Sequence, residues 1–309
     1  ARANMDVLRL IFPLFIIIFV GYLLRKTGFA REGFVDELNR LVYFIGLPAM
    51  LFTESSRIDL NALTGGAAAI AFPLVVAVTT LIGLAATLPL PFHQRGPVVQ
   101  AGFRGNLAYI GLPIVSTTLG PAALGTITII IAAGIVIHTL LSILVLSLLK
   151  PDGDSIHPLV HIRRTLTNPL LIAIALGLLF AAAGWSLPEV LARPVELLAR
   201  MSLPLILLVL GLSLSFSELR RNLSGAALAS VIKLAVMPAV AWGVMTWFFA
   251  SSPLVVETVV LMAAMPTAVA TQTFARAFDA DSSVSASSVS LTTLLAVVTV
   301  PALVVMLGL

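Results

Sequence analysis

The 309-residue chain contains no cysteine, which excludes disulfides and thiol chemistry. It also has little charge. Asp, Glu, Lys and Arg make up 10% of the residues, against about 25% in soluble domains. No Asp lies deep in an apolar run, so the paired aspartates of an intramembrane protease are missing. His, Asp and Glu do not cluster as metal ligands do, and no GxSx nucleophile setting faces His138. These absences argue against an enzyme, a metal site or a cofactor. What is abundant is apolar sequence, at 59% of the chain, which suits lipid better than water. The net charge of +4 would fit nucleic acid, but the basic residues sit between apolar runs, where they orient a membrane protein. The expected partners are a lipid bilayer and a small solute, with no nucleic acid; a second copy of the chain is a candidate partner.

Apolar runs fall at about 7–24, 38–53, 66–89, 97–119, 121–149, 168–184, 201–216, 225–249, 255–276 and 284–308. Roughly ten helices of ~20 residues fit this length. The first run has spanning length and reads as a span rather than a cleavable signal. Of the 18 Lys and Arg, 12 fall in the odd-numbered connections, 5 at the N-terminus or in even ones, and Lys233 inside a span. The positive-inside bias then places both termini on the non-cytoplasmic side of a cell inner membrane. Pro13, Gly21, Gly28 and Pro48 recur 156 residues later as Pro169, Gly177, Gly184 and Pro204. Four matches at one offset predict an inverted repeat, and an odd number of spans per half inverts the second half. The expected fold is an all-α polytopic membrane protein with ten transmembrane helices in a five-plus-five repeat. Residues 1–149 and 168–309 form the halves, joined by a polar cytoplasmic linker at 150–167.

Two spans, one per half, are interrupted near their middle: GNLAYIGLPIV (Gly105–Val115) and AAMPTAVATQTFAR (Ala263–Arg276). A broken helix frees carbonyls on one side and N–H groups on the other, which lipid cannot satisfy. Pro113 and Pro266, 153 residues apart, are each expected to open a second half-helix, with Gly111 loosening the chain before the first. Two helix N-termini converging at the bilayer centre would hold an anion. The alternative is two proline kinks in continuous helices. Asn106 is placed either to tie the break together or to touch the substrate, and Gln272 has the same ambiguity. Tyr109 offers an aromatic wall or a hydroxyl, and Thr267 and Thr271 offer hydroxyls in the second break. Arg104 reads as a guard of the cytoplasmic mouth or as ordinary anchoring. Lys233 is either a snorkelling lysine or a fixed positive charge that stabilises the crossover or draws in an anion. His138 reads as a hydrogen-bonded packing residue, with a proton relay as the alternative, and the Ser/Thr run Ser282–Thr293 as a surface for close packing on the ninth span.

At these residues the chain resembles the auxin efflux carrier family over nearly its whole length. FPLFIIIFVGYLLRKTGF is similar to the family's first span, LVYFIGLPAMLF to the second, SLPLILLVLGLSL to the seventh and LTTLLAVVTVPAL to the tenth. The family's fourth-span Asn and Pro fall on Asn106 and Pro113, the NP opening the sixth on Asn168-Pro169, and the ninth-span Pro on Pro266. The resemblance implies a ten-helix inverted-repeat carrier with crossed fourth and ninth helices, handling organic anions. The plant exporters carry a second proline in the ninth span where Thr271 stands, and a long loop where this chain has a short linker. Bacterial relatives include carriers proposed for dicarboxylates such as malate and malonate. The expected function is therefore a secondary transporter of small organic anions, auxin-like or dicarboxylate, working by alternating access. A sodium-coupled symporter of similar fold is the alternative, and a channel or non-transporting sensor a more distant one.

Overall fold

A computed structural model describes residues 2–57, 66–149, 167–214 and 222–309. The linker expected at 150–167 lies outside the described residues except for Thr167. The described residues form helices: α1 (Arg2–Lys26), α2 (Glu32–Leu41), α3 (Leu47–Ser56), α4 (Gly66–Ala86), α5 (Phe92–Phe103), α6 (Leu112–Leu119), α7 (Leu124–Leu148), α8 (Pro169–Ala183), α9 (Glu189–Ser213), α10 (Leu223–Val231), α11 (Met237–Phe248), α12 (Pro253–Ala263), α13 (Ala270–Ala277) and α14 (Ser282–Met306). Five stretches are long and apolar enough to cross a membrane: Gly66–Ala86, Pro121–Leu148, Glu189–Leu212, Leu223–Phe248 and Ser282–Met306. Leu107–Leu119, Pro169–Ala183 and Pro253–Ala263 are shorter apolar helices. Large side chains such as Ile70, Leu81, Leu144, Trp247 and Val298 face outward, as lipid permits and water penalises.

Three of the helical joins are π-turns with i→i−5 bonds: Val42–Gly46, Leu107–Gly111 and Ile232–Val236. Each is followed by a Leu or Met and then a proline, at Pro48, Pro113 and Pro238. A proline ring clashes with the carbonyl four residues back and donates no hydrogen bond there, and widening that turn relieves the clash. Each of these helices thus runs on through its proline. Side chains set the starts of two other helices. Asn168 accepts from Leu170 N–H at 2.9 Å to start α8, and Asp281 accepts from Ser283 N–H at 3.0 Å to start α14.

Packing sorts the helices into two bodies. α1 lies along α9, and α3 lies along α8 and also meets α9. α4 to α7 and α10 to α14 pack on one another, with α14 held against α10, α13 and α5 through its buried Ser/Thr face. That extends the expected contact with the ninth apolar run to the eighth as well. The first body depends on backbone-to-backbone approach at glycine. A Cβ on Gly21 would collide with the Leu208 carbonyl, one on Gly211 with that of Ile18, and one on Gly177 with Ser55 Oγ and the Phe52 carbonyl.

Gly21→Val and Gly177→Val should each therefore destabilise the protein by about 1–3 kcal/mol or more, the usual cost of overpacking. Gly66→Ala, where nothing lies within 4 Å of the added carbon, should be neutral or mildly stabilising. Thermal unfolding of the purified variants in detergent checks the contrast.

Candidate functional site

The two interrupted segments meet. α5 ends at Phe103, and the chain is unwound through Arg104 to Asn106 before it turns helical again at Leu107. α12 ends at Ala263, and the chain is irregular until α13 begins at Ala270. Gly105 and Thr267 form an antiparallel bridge. Asn106 N–H donates to the Pro266 carbonyl at 2.8 Å, and Ala268 N–H donates to the Arg104 carbonyl at 2.9 Å. Thr267 adds two ties: its hydroxyl donates to the Ala101 carbonyl at 2.8 Å, and its N–H donates to Thr292 Oγ1 at 3.1 Å. Backbone freed by each break is thus satisfied by the other, as interior irregular structure requires.

This geometry corrects the role expected of the prolines. Pro113 opens no half-helix; it sits more than a turn inside one that begins at Asn106. Pro266 lies in the break itself, supplies the bridge carbonyl and precedes α13 by four residues. The residues that face each other are Gly105 and Thr267, so Pro113 and Pro266 are not structural counterparts. The proline of Leu112-Pro113 is absorbed by the π-turn, whereas the break follows from Gly105 and from Asn106 acting as cap.

A cavity of about 460 Å³ lies on one side of the bridge, between the two helical bodies. Arg104, Asn106 and Tyr109 line it, as do the residues that begin both second half-helices. Asn106 Oδ1 accepts from Tyr109 N–H at 3.2 Å, and the Asn106 carbonyl accepts from Gly111 N–H at 2.9 Å. The first amides of a helix have no intrahelical acceptor, so those of Leu107 and Ala108 are left at the cavity wall. The starts of the second break, Val269 and Ala270, lie on the same wall. Both partial positive helix ends meet in one space.

Arg104 stands on the cavity wall. It is buried, with its Nη1 donating to the His138 carbonyl at 3.0 Å and to Ser142 Oγ at 3.0 Å on α7. Its guanidinium carbon lies 4.2 Å from the centre of the Phe274 ring. No carboxylate pairs with it among the described residues, where the ion pairs are Arg40–Glu37 and Arg57–Glu196. Nε and Nη2 have no acceptor among these residues, and a guanidinium carries five donors.

Gly111, Pro113, Thr271, Gln272 and Lys233 stand apart from the cavity. Gly111 packs on Met262 and Met265, and Pro113 is buried. Thr271 is buried with no partner for its hydroxyl, and Gln272 is half-buried outside the lining. Lys233 does not snorkel: it is 0% exposed, and its Nζ donates to the Ala263 carbonyl at 2.7 Å and to Met237 Sδ at 2.7 Å. His138 packs between Phe72 and Phe103 and also reaches the cavity wall.

Several lining residues are ones that sequence reasoning did not assign to the site. Asn39 accepts from the Tyr109 hydroxyl at 2.9 Å, and Tyr43, one turn on, accepts from Asn168 Nδ2 at 3.0 Å. Thr139, Thr273 and Phe274 complete the polar and aromatic part, while Ile131, Ile135, Leu170, Val209 and Leu210 make the rest apolar. The i, i+4 spacing of Asn39 and Tyr43 entering a short apolar run was the signal available for the first pair.

The sequence model of a family described as membrane transport protein matches residues 6–304. The chain is 27% identical over 293 residues to a protein of Methanothermobacter thermautotrophicus named as an uncharacterized transporter, covering 93% of each. It is 25% identical over 316 residues to a protein of Rhizobium meliloti named for malonate transport, covering 96% of this chain and 95% of the relative. A Methanocaldococcus jannaschii protein, also named as a transporter, is 24% identical over 290 residues, with 90% and 91% covered. With broken helices that meet in the interior and a match over nearly its full length, the chain belongs to this auxin efflux carrier-like family of membrane transport proteins and is a transport protein rather than an enzyme.

Proposed function

We propose that the chain is a secondary transporter that moves small organic anions, carboxylates above all, by alternating access around the Gly105–Thr267 crossover. The observation that carries this reading is Arg104, a buried guanidinium on the cavity wall with no carboxylate partner among the described residues. A buried charge without a counter-charge is costly, and an anionic substrate repays that cost when it arrives. Asn106 and the amides at the two half-helix starts add donors around the same space. A relative named for malonate transport is consistent with a carboxylate cargo. The wall holds a single cation, because Lys233 is turned to the Ala263 carbonyl, and much of the remainder is apolar or aromatic. That balance favours one carboxylate on a compact apolar body over two carboxylates.

The architecture that goes with this reading is ten spans in two inverted halves, 1–149 and 168–309, with both termini outside the cytoplasm of an inner membrane. Close contacts support the repeat. Gly21 meets Leu208 and Gly211, Gly177 meets Phe52 and Ser55, and every residue of the second set is 156 positions from its counterpart in the first. Gly46 meets Ser202, its own counterpart at the same offset. Helix pairing has the same symmetry, with α1 on α9 answered by α3 on α8, and α4 on α7 answered by α10 on α14. The two-body packing supplies a plane along which access can alternate, since the cavity lies between the bodies.

Binding of matched pairs, a carboxylate and its amide or ester, to protein in detergent tests the charge reading: the carboxylate should bind and the neutral partner should not. Arg104→Gln should weaken carboxylate binding by about 2–5 kcal/mol, the range for truncating a buried charge contact, and equal affinity across the pair refutes the anion reading. Asn106→Ala should cost about 1–3 kcal/mol. Among acids of similar size, a monocarboxylate should outcompete its dicarboxylate analogue for uptake into proteoliposomes. Single cysteines placed in this cysteine-free chain check orientation: position 157 should label from the cytoplasm and position 3 from outside.

A further inference from the structure

Lys233 is a fully buried charge that the anion reading leaves unused. It belongs to the π-turn Ile232–Val236, which follows α10 and precedes Pro238, and it is fully buried without lining the cavity. No carboxylate approaches its ammonium among the described residues. The oxygen it meets instead is the carbonyl of Ala263, the last residue of α12, at 2.7 Å. Across the bridge it meets backbone again: a Cβ built on Gly105 would stand 3.1 Å from Nζ and 3.2 Å from Cε. The ammonium is therefore wedged against both broken segments, on the carbonyl end of one and beside the unwound backbone of the other.

The chemistry of that position is specific. The last carbonyls of a helix have no intrahelical donors and together carry about half a negative charge. The carbonyls of Val260, Leu261 and Met262 accept from the N–H groups of Ala264 and Met265, so the Ala263 carbonyl, with no acid beside it among the described residues, is the acceptor left for a small monovalent cation. A purely packing role would be filled as well by methionine or leucine, without the cost of burying an ammonium. We propose that Lys233 is a tethered occupant of a monovalent-cation site at the carbonyl end of α12, and that a cation from solution is needed at the crossover only when this side chain is shortened. Gly105 follows from the same geometry, since any side chain there would push against the ammonium.

The test uses the full chain purified in detergent, with no carboxylate present, so that its result is independent of whether the protein carries anions. Melting temperature is read by intrinsic fluorescence in choline chloride and after replacement by sodium chloride or ethylammonium chloride at equal ionic strength. The wild type should not respond to the replacement. Lys233→Ala should melt several degrees lower in choline and recover saturably with ethylammonium or sodium, whereas tetramethylammonium, too large for the space, should have no effect. Lys233→Met, which fills the space without charge, should melt lower and recover with none of them. A Lys233→Met protein as stable as the wild type overturns the proposal. So does a Lys233→Ala protein that responds to neither small cation, failure to fold in ethylammonium included, or an equal response in the wild type.

Discussion

Two backbone hydrogen bonds, from Asn106 N–H to the Pro266 carbonyl and from Ala268 N–H to the Arg104 carbonyl, permit the chain to leave helical geometry twice in its apolar interior. Each is worth only about 1 kcal/mol net, but the groups they satisfy would cost several times that if left bare. Neither break is tolerable alone, because each supplies the partner that the other lacks. Everything polar in the centre is arranged around this exchange. Thr267 ties it to α5 and α14, Asn106 caps the helix that leaves it, and Gly105 leaves room beside the bridge for the Lys233 ammonium.

The bridge also divides the charge. On the cavity side Arg104 Nε and Nη2 have no acceptor among the described residues and lie beside two helix starts. On the other side Lys233 meets the carbonyl terminus of α12, where a positive group is matched by the backbone. The two cations therefore do different work although they flank the same glycine. One is left incomplete by the protein, and the other is completed by it.

Most of the helical inventory was legible in the sequence, since spans and their ends depend on local apolar length, caps and proline. The glycine spacing was legible because close helix approach demands glycine, and Gly21 and Gly177 do make such contacts. The site was legible only in part. Arg104, Asn106 and Tyr109 line the cavity as residues around a break should. Pro113 misled because a proline can be absorbed by a π-turn, an outcome that its sequence neighbours do not distinguish from a break. Asn39 and Tyr43 escaped notice because each lies far along the chain from Tyr109 and Asn168, which they meet at the wall.

Composition and periodicity alone determined that this is a helical membrane protein, that its interior carries few charges, and that two of its apolar segments are interrupted. These are properties of short windows of chain, where burial and hydrogen bonding act on neighbours. Which residue of one break faces which residue of the other, where Arg104 and Lys233 direct their charges, and which walls enclose the cavity were decided by tertiary structure. The reason is distance along the chain: Gly105 and Thr267 are 162 residues apart, and no local pattern encodes a register between segments that meet only when both halves have packed.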